Sequence, residues 1–114
     1  MNVLDGGAGI NTVNYQSSVF GISINLSNVT QNIGDAGQDT LTNIQNVIAS
    51  SFDDVIIGDA NANLLLAGDG DDTLQGGLGN NTLNGGDGDD TVMYVGTTSP
   101  ITVFTAFWDN AIRP

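Results

Sequence analysis

The chain has 114 residues, of which 13 are acidic, one is basic and none is His or Cys, so its formal net charge is −12. Without His or Cys, we expect no Ser–His–Asp or Cys–His catalysis, no zinc site of the usual kinds and no disulfide framework. With a single cationic side chain, nucleic acid is not expected as a partner and an anionic membrane surface would repel the chain. No apolar run approaches the ~18–20 residues of a membrane helix, so membrane insertion is not expected either.

A nine-residue pattern recurs along the chain and predicts a turn followed by a short strand. Positions one to six are Gly, Asp, Asn and small residues, which favour the positive φ angles of tight turns. Positions seven to nine form a minimal strand with an aliphatic residue at position eight. Because successive strand side chains point to opposite faces, position eight should face a core while positions seven and nine face outward.

Residues 1–48 carry irregular copies of this pattern, and we assign them to an N-terminal portion of the fold. The copies are the opening MNVLD, with Asn2 and Leu4 at positions six and eight, and the blocks 6–14 and 34–42. Between the two blocks, Ile22, Ile24 and Leu26 alternate with polar residues. This alternation predicts a strand with one buried face.

Residues 49–93 consist of five consecutive blocks, which we assign to a tandem repeat region. The blocks are ASSFDDVII, GDANANLLL, AGDGDDTLQ, GGLGNNTLN and GGDGDDTVM. Position eight is aliphatic in all of them, whereas a flexible acidic linker would not keep an aliphatic residue in one phase. Turns alternating with short strands predict an all-β solenoid with two repeats per 18-residue coil and parallel pairing between stacked coils.

Residues 94–114 repeat part of the N-terminal pattern and then depart from it. Tyr15 and the strand after it have counterparts in Tyr94 and residues 101–103, and the ending from Thr105 onwards includes the single Trp. We therefore expect a C-terminal strand, followed by either a cap or a truncated tail.

The predicted turns concentrate negative charge that a small core does not offset. Each repeat buries one aliphatic side chain, while the Asp side chains of adjacent turns repel one another. A hard divalent cation would remove this repulsion, and Ca²⁺, which takes ~6–8 oxygen ligands, suits flexible turns. An EF-hand interpretation of the segment from Asp69 fails, because Thr73 stands at a ligand position and the chain has no Glu to close the loop.

The blocks resemble the RTX family, whose nonapeptide is GGxGxDxUx with U a large aliphatic residue. Residues 85–93, GGDGDDTVM, match every fixed position, and residues 67–75 miss only the first Gly. The resemblance covers most of residues 1–95 and implies a right-handed parallel β-roll that holds Ca²⁺ between the turns of neighbouring coils. It also implies that the chain is a module of a larger secreted bacterial protein. Since the start of the chain does not look like a signal peptide, we expect extracellular delivery by a signal-peptide-independent route.

Alternate blocks place their turns on the same side of the predicted roll. Position six, where the resemblance implies a calcium ligand, is Asp54, Asp72 and Asp90 on one side and Asn63 and Asn81 on the other. We therefore expect a one-sided ladder of Ca²⁺ sites. The Asn side should bind weakly or not at all, since a neutral amide attracts a cation less than a carboxylate does, and its Asn residues are interpreted as a structural ladder.

The strongest site is expected between turns 67–72 and 85–90. A weaker site is expected between turns 49–54 and 67–72, where Ser50, Ser51 and Phe52 replace the glycine turn. The metal ligands implied by the resemblance are Asp54, Gly68, Asp69, Gly70, Asp72, Gly86, Asp87, Gly88 and Asp90. Asp39 also has position six of its block, but the sequence shows no clear stacking partner for it.

No catalytic residue is assigned, because the Asp residues recur with the structural period and a metal-bound carboxylate is a poor proton donor. Besides a calcium-folded module, two alternatives stay open: a spacer in an adhesion or surface-layer protein, and an accessory region of a secreted hydrolase. The expected partners are calcium ions, neighbouring domains of a larger chain and, through exposed parallel strand edges, further copies end to end.

Overall fold

The computed structural model describes residues 2–27, 39–93 and 101–104, and the regular structure within these ranges is entirely β. The strands are β1 (Asn2–Asp5), β2 (Thr12–Asn14), β3 (Ser23–Asn25), β4 (Asp39–Thr42), β5 (Asn46–Ile48), β6 (Val55–Ile57), β7 (Leu64–Leu66), β8 (Thr73–Gln75), β9 (Asn81–Asn84), β10 (Thr91–Met93) and β11 (Ile101–Phe104). In the same ranges, no helix has the length and apolar character that crossing a bilayer requires.

The strands form three parallel sheets. One sheet has the order β11, β9, β7, β5, β2, a second has β10, β8, β6, β3, and a small third sheet joins β1 to β4. From β5 onwards, consecutive strands alternate between the two larger sheets, so that two nonapeptides complete each coil. The prediction of an all-β parallel roll with two repeats per coil is confirmed.

The coils repeat at different spacings in the two parts of the chain. In the tandem region, Val55 pairs with Thr73 and Thr73 with Thr91, and contacts between adjacent coils join residues 18 apart. At the N-terminal end, Asn11 contacts Gln45, 34 residues further along the chain. Only the spacing between the first coil and the second is longer, and the part of the chain between them includes β4, which pairs with β1 in the small third sheet.

In each strand from β2 to β10, an aliphatic side chain near the centre of the strand lies in the core. These residues are Val13, Ile24, Leu41, Val47, Ile56, Leu65, Leu74, Leu83 and Val92, and each is at most 9% exposed. In β6, β7, β8 and β10 only this central residue is buried, as the position-eight rule predicts. The core is therefore a single ladder of aliphatic side chains per sheet, each worth about 1.5–3 kcal/mol on burial.

In the N-terminal copies, residues with the same position in the nine-residue pattern lie opposite one another. In the register of β1 and β4, Asn2 pairs with Asp39 and Leu4 pairs with Leu41. Asp39 therefore has the stacking partner that the sequence did not reveal, and its Oδ2 also accepts a hydrogen bond from the Tyr15 hydroxyl at 2.6 Å.

In the C-terminal segment, the structure describes β11, which pairs with β9. The expectations for Tyr94 and for a cap or tail from residue 105 lie outside the described residues. The division of the chain at 48/49 and 93/94 stays a prediction.

Candidate metal centre

The residue that ends each turn lies at one of two edges of the roll, according to which sheet the chain enters next. The carboxylate edge, which leads into β6, β8 and β10, consists of Asp54, Asp72 and Asp90. The amide edge, which leads into β2, β5, β7 and β9, consists of Asn11, Gln45, Asn63 and Asn81. All four residues of the second edge are amides, so the roll separates charged from neutral side chains at position six.

Two residues at these edges were not predicted from the sequence. Gln45 takes position six if the nine-residue frame is extended back by one block to 40–48, so the signal was present. Ile22 precedes β3 and closes the carboxylate edge with an apolar residue. No local pattern revealed this role, because the contact from Ile22 to Asp54 joins residues 32 apart rather than 18.

The three carboxylates are buried and linked through the backbone of adjacent coils. The N–H of Asp54 donates to Oδ1 of Asp72 at 2.7 Å, and the N–H of Asp72 donates to Oδ1 of Asp90 at 2.9 Å. The N–H of Ile22 donates to Oδ1 of Asp54 at 2.9 Å. Each carboxylate is at most 2% exposed, so these hydrogen bonds satisfy one oxygen of each in a dry environment.

The second oxygens of these carboxylates have different surroundings. In Asp54, Oδ2 accepts the N–H of Ser50 at 3.0 Å, and the Ser50 hydroxyl donates to Oδ1 at 2.6 Å. In Asp72, Oδ2 is buried and has no hydrogen-bond partner in the described part of the chain. Burying a carboxylate oxygen without a donor is costly, so Asp72 identifies a position where a cation would be stabilising.

Backbone carbonyl oxygens line the gap between successive turns of this edge. Gly86 and Gly88 lie so close to the carbonyl groups of Gly68 and Gly70 that a Cβ atom on either would overlap a carbonyl oxygen. The φ angles of Gly86 and Gly88, 77° and 122°, are also ones that other residues rarely adopt. The same arrangement recurs one coil towards the N-terminus, so these turns need glycine to bring their carbonyl groups together.

The donor set available on the carboxylate edge fits Ca²⁺. It combines carbonyl oxygens with buried carboxylate oxygens, which are the ligands that a hard cation of this size prefers. Within the described ranges, no three acidic side chains are grouped closely enough to hold a metal by themselves. The carbonyl oxygens of the glycine turns would therefore have to supply part of the coordination.

The structure brings most of the predicted ligands to one inter-turn gap but not all of them. Turns 67–72 and 85–90 stack directly, with Asp72 and Asp90 hydrogen-bonded across the gap. Asp69 and Asp87, at position three of their blocks, are exposed. Asp54 belongs to the next gap, where Ser50 already donates to it. These placements leave the position-six carboxylates and the glycine carbonyl groups as the stronger candidates.

Burial raises the pKa of Asp72 to about 8, and the neighbouring carboxylates Asp54 and Asp90 act in the same direction, while the N–H of Asp54 acts against them. Burial also raises the pKa of Asp54, where the hydrogen bonds from Ser50 oppose it. Both shifts have the same physical cause, because a buried carboxylate without a nearby cation is more stable in its neutral form.

Comparison with known families agrees with this geometry. A family model described as "RTX calcium-binding nonapeptide repeat (4 copies)" matches residues 45–74 and 66–94. The matched region contains β5 to β10 and all three residues of the carboxylate edge. No curated protein matches the chain.

We expect Gly88→Ala to disrupt turn stacking far more than Gly9→Ala. Both glycines have positive φ, 122° and 87°, so both variants bear the backbone penalty of roughly 1–2 kcal/mol. Only Gly88 faces a carbonyl oxygen, that of Gly70, whereas a Cβ on Gly9 meets nothing within 4 Å. Urea unfolding in saturating Ca²⁺ measures the difference, and equal midpoints for the two variants would show that the turns do not stack as described.

We also expect acid to stabilise the roll when Ca²⁺ is removed. The folded-state pKa of Asp72 is raised, so its contribution to stability is complete below its ordinary pKa and is lost as the pH rises towards about 8. In chelator, the melting temperature should therefore fall between pH 5 and pH 8. Asp5, whose pKa is lowered by its hydrogen bond from Asn43, does not titrate in this window.

The control for this pH dependence is Asp72→Asn, which should reduce the slope of melting temperature against pH. Any slope that remains is assigned to Asp54, whose pKa burial also raises. A wild-type melting temperature that rises from pH 5 to pH 8 in chelator would contradict the assignment.

Proposed function

Residues 45–94 of this chain belong to the RTX calcium-binding nonapeptide repeats, and from this we propose that the carboxylate edge binds Ca²⁺ between successive turns. The observation that carries the proposal is the Oδ2 atom of Asp72, which is buried without a hydrogen-bond partner among the described residues. A family of calcium-binding repeats and a buried carboxylate oxygen that needs a cation point to the same edge.

The strongest site in this proposal lies between turns 67–72 and 85–90. Its ligands would come from the carboxylates of Asp72 and Asp90 and from the carbonyl groups of Gly68 and Gly70, with Asp69, Gly86, Asp87 and Gly88 completing the set that the family pattern implies. The weaker site, which includes Asp54, lies between turns 49–54 and 67–72. Ser50 supports this ranking, because its two hydrogen bonds to Asp54 already do part of what a cation would do.

The proposed role of binding is to stabilise the fold. Bound Ca²⁺ would supply the positive charge that the stacked carboxylates lack. The chain itself contributes the N–H groups of Asp54 and Asp72, which hold the carboxylates in line before any ion arrives. An ion that binds only the folded state adds RT ln(1 + [L]/Kd) per site to the free energy of unfolding, so the roll should order as Ca²⁺ rises.

RTX repeats are structural calcium-binding units and occur in secreted bacterial proteins. We therefore propose that this chain is a stabilising module of a larger exported protein, and that it folds outside the cell, where Ca²⁺ is plentiful. Catalysis is not part of the proposal, since the buried Asp residues are already used in contacts between coils.

A Ca²⁺ titration should separate the carboxylate edge from the other acidic residues. Asp72→Asn/Asp90→Asn should lose the tightest site in calorimetry, because a neutral amide oxygen binds a cation less strongly than a carboxylate. Asp5→Asn/Asp59→Asn removes the same number of charges away from that edge and should keep the site. Asn81→Asp should change little or gain a site.

The same titration followed by far-UV circular dichroism tests the coupling to folding. Wild-type protein should show less β-structure in chelator than in Ca²⁺. Identical β spectra in the two buffers would contradict folding on calcium binding, and unchanged affinity in Asp72→Asn/Asp90→Asn would contradict the site.

A spacer in an adhesion or surface-layer assembly is the second candidate function, and one observation favours it. In the described part of the chain, β1, β2 and β3 lie at the outer edges of their sheets. The same first coil exposes Val3 and Ile10, at 73% and 81%. Open parallel edges flanked by apolar side chains favour end-to-end association.

If the roll is a spacer that associates through its first coil, its sedimentation coefficient in Ca²⁺ should rise with protein concentration. Val3→Asp/Ile10→Asp should suppress this rise, because charges on an exposed edge oppose pairing. A constant sedimentation coefficient for the wild type across the accessible range would exclude this function.

A further inference from the structure

The amide edge has the same backbone arrangement as the carboxylate edge. A Cβ atom on Gly77 would lie 2.9 Å from the carbonyl oxygen of Asp59, and one on Gly79 would lie 2.6 Å from that of Asn61. Successive turns therefore bring their carbonyl oxygens together on both sides of the roll. The two edges differ instead in the side chains of their turns, and in the tandem region the position-six residues of both edges are buried.

On the amide edge, a side-chain amide donates hydrogen bonds to the carbonyl groups of the turn. Nδ2 of Asn81 donates to the carbonyl oxygens of Gly77 and Leu78 in its own turn, both at 3.2 Å. Its Oδ1 accepts the N–H of Asn63 at 2.9 Å, as Asp72 and Asp90 accept N–H groups across the roll. The amide thus keeps the ladder hydrogen bond and adds a donor that a carboxylate does not have.

This donor occupies the place of a carboxylate oxygen on the other edge. A Cβ atom on Gly76, position one of its block, would lie 2.6 Å from Nδ2 of Asn81. At position one of the next block, a Cβ atom on Gly85 would meet Oδ2 of Asp90 in the same way. The two turns therefore put a hydrogen-bond donor and an acceptor at equivalent points beside similar carbonyl groups.

Amide donors recur along this edge, but the amide of Asn63 has the opposite orientation. Its Oδ1 accepts the N–H of Asp59 in its own turn at 3.0 Å. Nδ2 of Asn63 donates to the carbonyl oxygen of Gln45 at 2.8 Å, and Nδ2 of Asn11 donates to that of Asn43 at 2.9 Å. The N–H of Asn11 donates to Oε1 of Gln45 at 2.8 Å. Asn11, Asn63 and Asn81 therefore each donate from Nδ2 to a backbone carbonyl group, while Gln45 takes part through its oxygen.

We propose that the amide edge is a metal-independent clasp, in which the side-chain amide nitrogen at position six does the work that Ca²⁺ does on the carboxylate edge. The comparison with Ca²⁺ rests on the proposed function, whereas the clasp itself rests on the hydrogen bonds above. The amide edge of the described coils is then held without an ion, and the buried residue at position six distinguishes the edge that requires calcium from the edge that does not.

The decisive variant places amides on both edges. Asp54→Asn/Asp72→Asn/Asp90→Asn in EGTA should give the β spectrum that the wild type has in Ca²⁺, and its melting temperature should not change when Ca²⁺ is added. A triple Asn variant that is unfolded in EGTA would overturn the proposal.

The matched control is Asp54→Ala/Asp72→Ala/Asp90→Ala, which removes the same charges but supplies no donor. Its melting temperature in EGTA should be lower than that of the triple Asn variant by roughly 10 °C or more, given three sets of lost hydrogen bonds. Equal melting temperatures for the two triple variants would mean that relief of repulsion, rather than the amide, stabilises the turns, and the clasp would be rejected.

The reverse substitution tests the native clasp. Made in the triple Asn variant, which is expected to be folded in EGTA, Asn81→Asp removes the donor and creates a buried carboxylate, so the melting temperature in EGTA should fall. Asn80→Asp, at the exposed position five beside it, adds the same charge and should have little effect. Equal melting temperatures for Asn81→Asp and Asn80→Asp in EGTA would refute the clasp.

These outcomes are independent of the proposed function, because the comparisons between variants are made in EGTA. If the β spectrum and melting temperature of the wild type do not change with Ca²⁺, calcium-coupled folding is refuted. The Asn and Ala triple variants then still decide whether the clasp exists. A wild type that responds to Ca²⁺, with indistinguishable triple variants, would refute the clasp alone.

Discussion

The in-register stacking of parallel coils is the constraint on which the rest of the structure depends. Because the spacing is 18 residues in the tandem region, each position-six side chain lies against the side chain or backbone of its counterpart in the next coil. Residues of the same type therefore stack on one another: aliphatic residues stack in the core, Asp residues on one edge and amide residues on the other. A stacked row of aliphatic or amide groups is stable by itself, whereas a stacked row of buried carboxylates requires compensation.

That asymmetry explains why a chain with so high a net charge can form a narrow roll. Eight of its 13 acidic residues, Asp53, Asp54, Asp69, Asp71, Asp72, Asp87, Asp89 and Asp90, lie in turns on one side. Outer members of this set make their own contacts, as when Oδ1 of Asp53 accepts the N–H of Asp71 at 2.8 Å. The buried Oδ2 of Asp72 has no hydrogen-bond partner among the described residues, so a divalent cation would be most effective there.

The fold could be predicted well from the sequence because the buried aliphatic residue has the same position, the eighth, in each nine-residue block. The same frame located the carboxylate edge, since Asp72 and Asp90 follow directly from it. It did not predict that Ser50 would donate two hydrogen bonds to Asp54, because the pattern shows a missing glycine but not a gained donor. Nor could it place Ile22, since the longer spacing between the first coil and the second, in a part of the chain that includes the extra strand β4, does not follow the repeat.

The two edges also have different consequences for the entropy of ordering. Every coil passes through both edges, so a hydrogen bond from Asn81 or Asn63 restricts the same coil whose other turn ends in Asp72 or Asp90. If the amide clasp is formed first, the turns of the carboxylate edge have fewer conformations left to lose when an ion binds, and less of the binding free energy is spent on ordering the chain. A roll with amides on one edge should therefore respond to lower Ca²⁺ concentrations than one in which both edges must be ordered by metal.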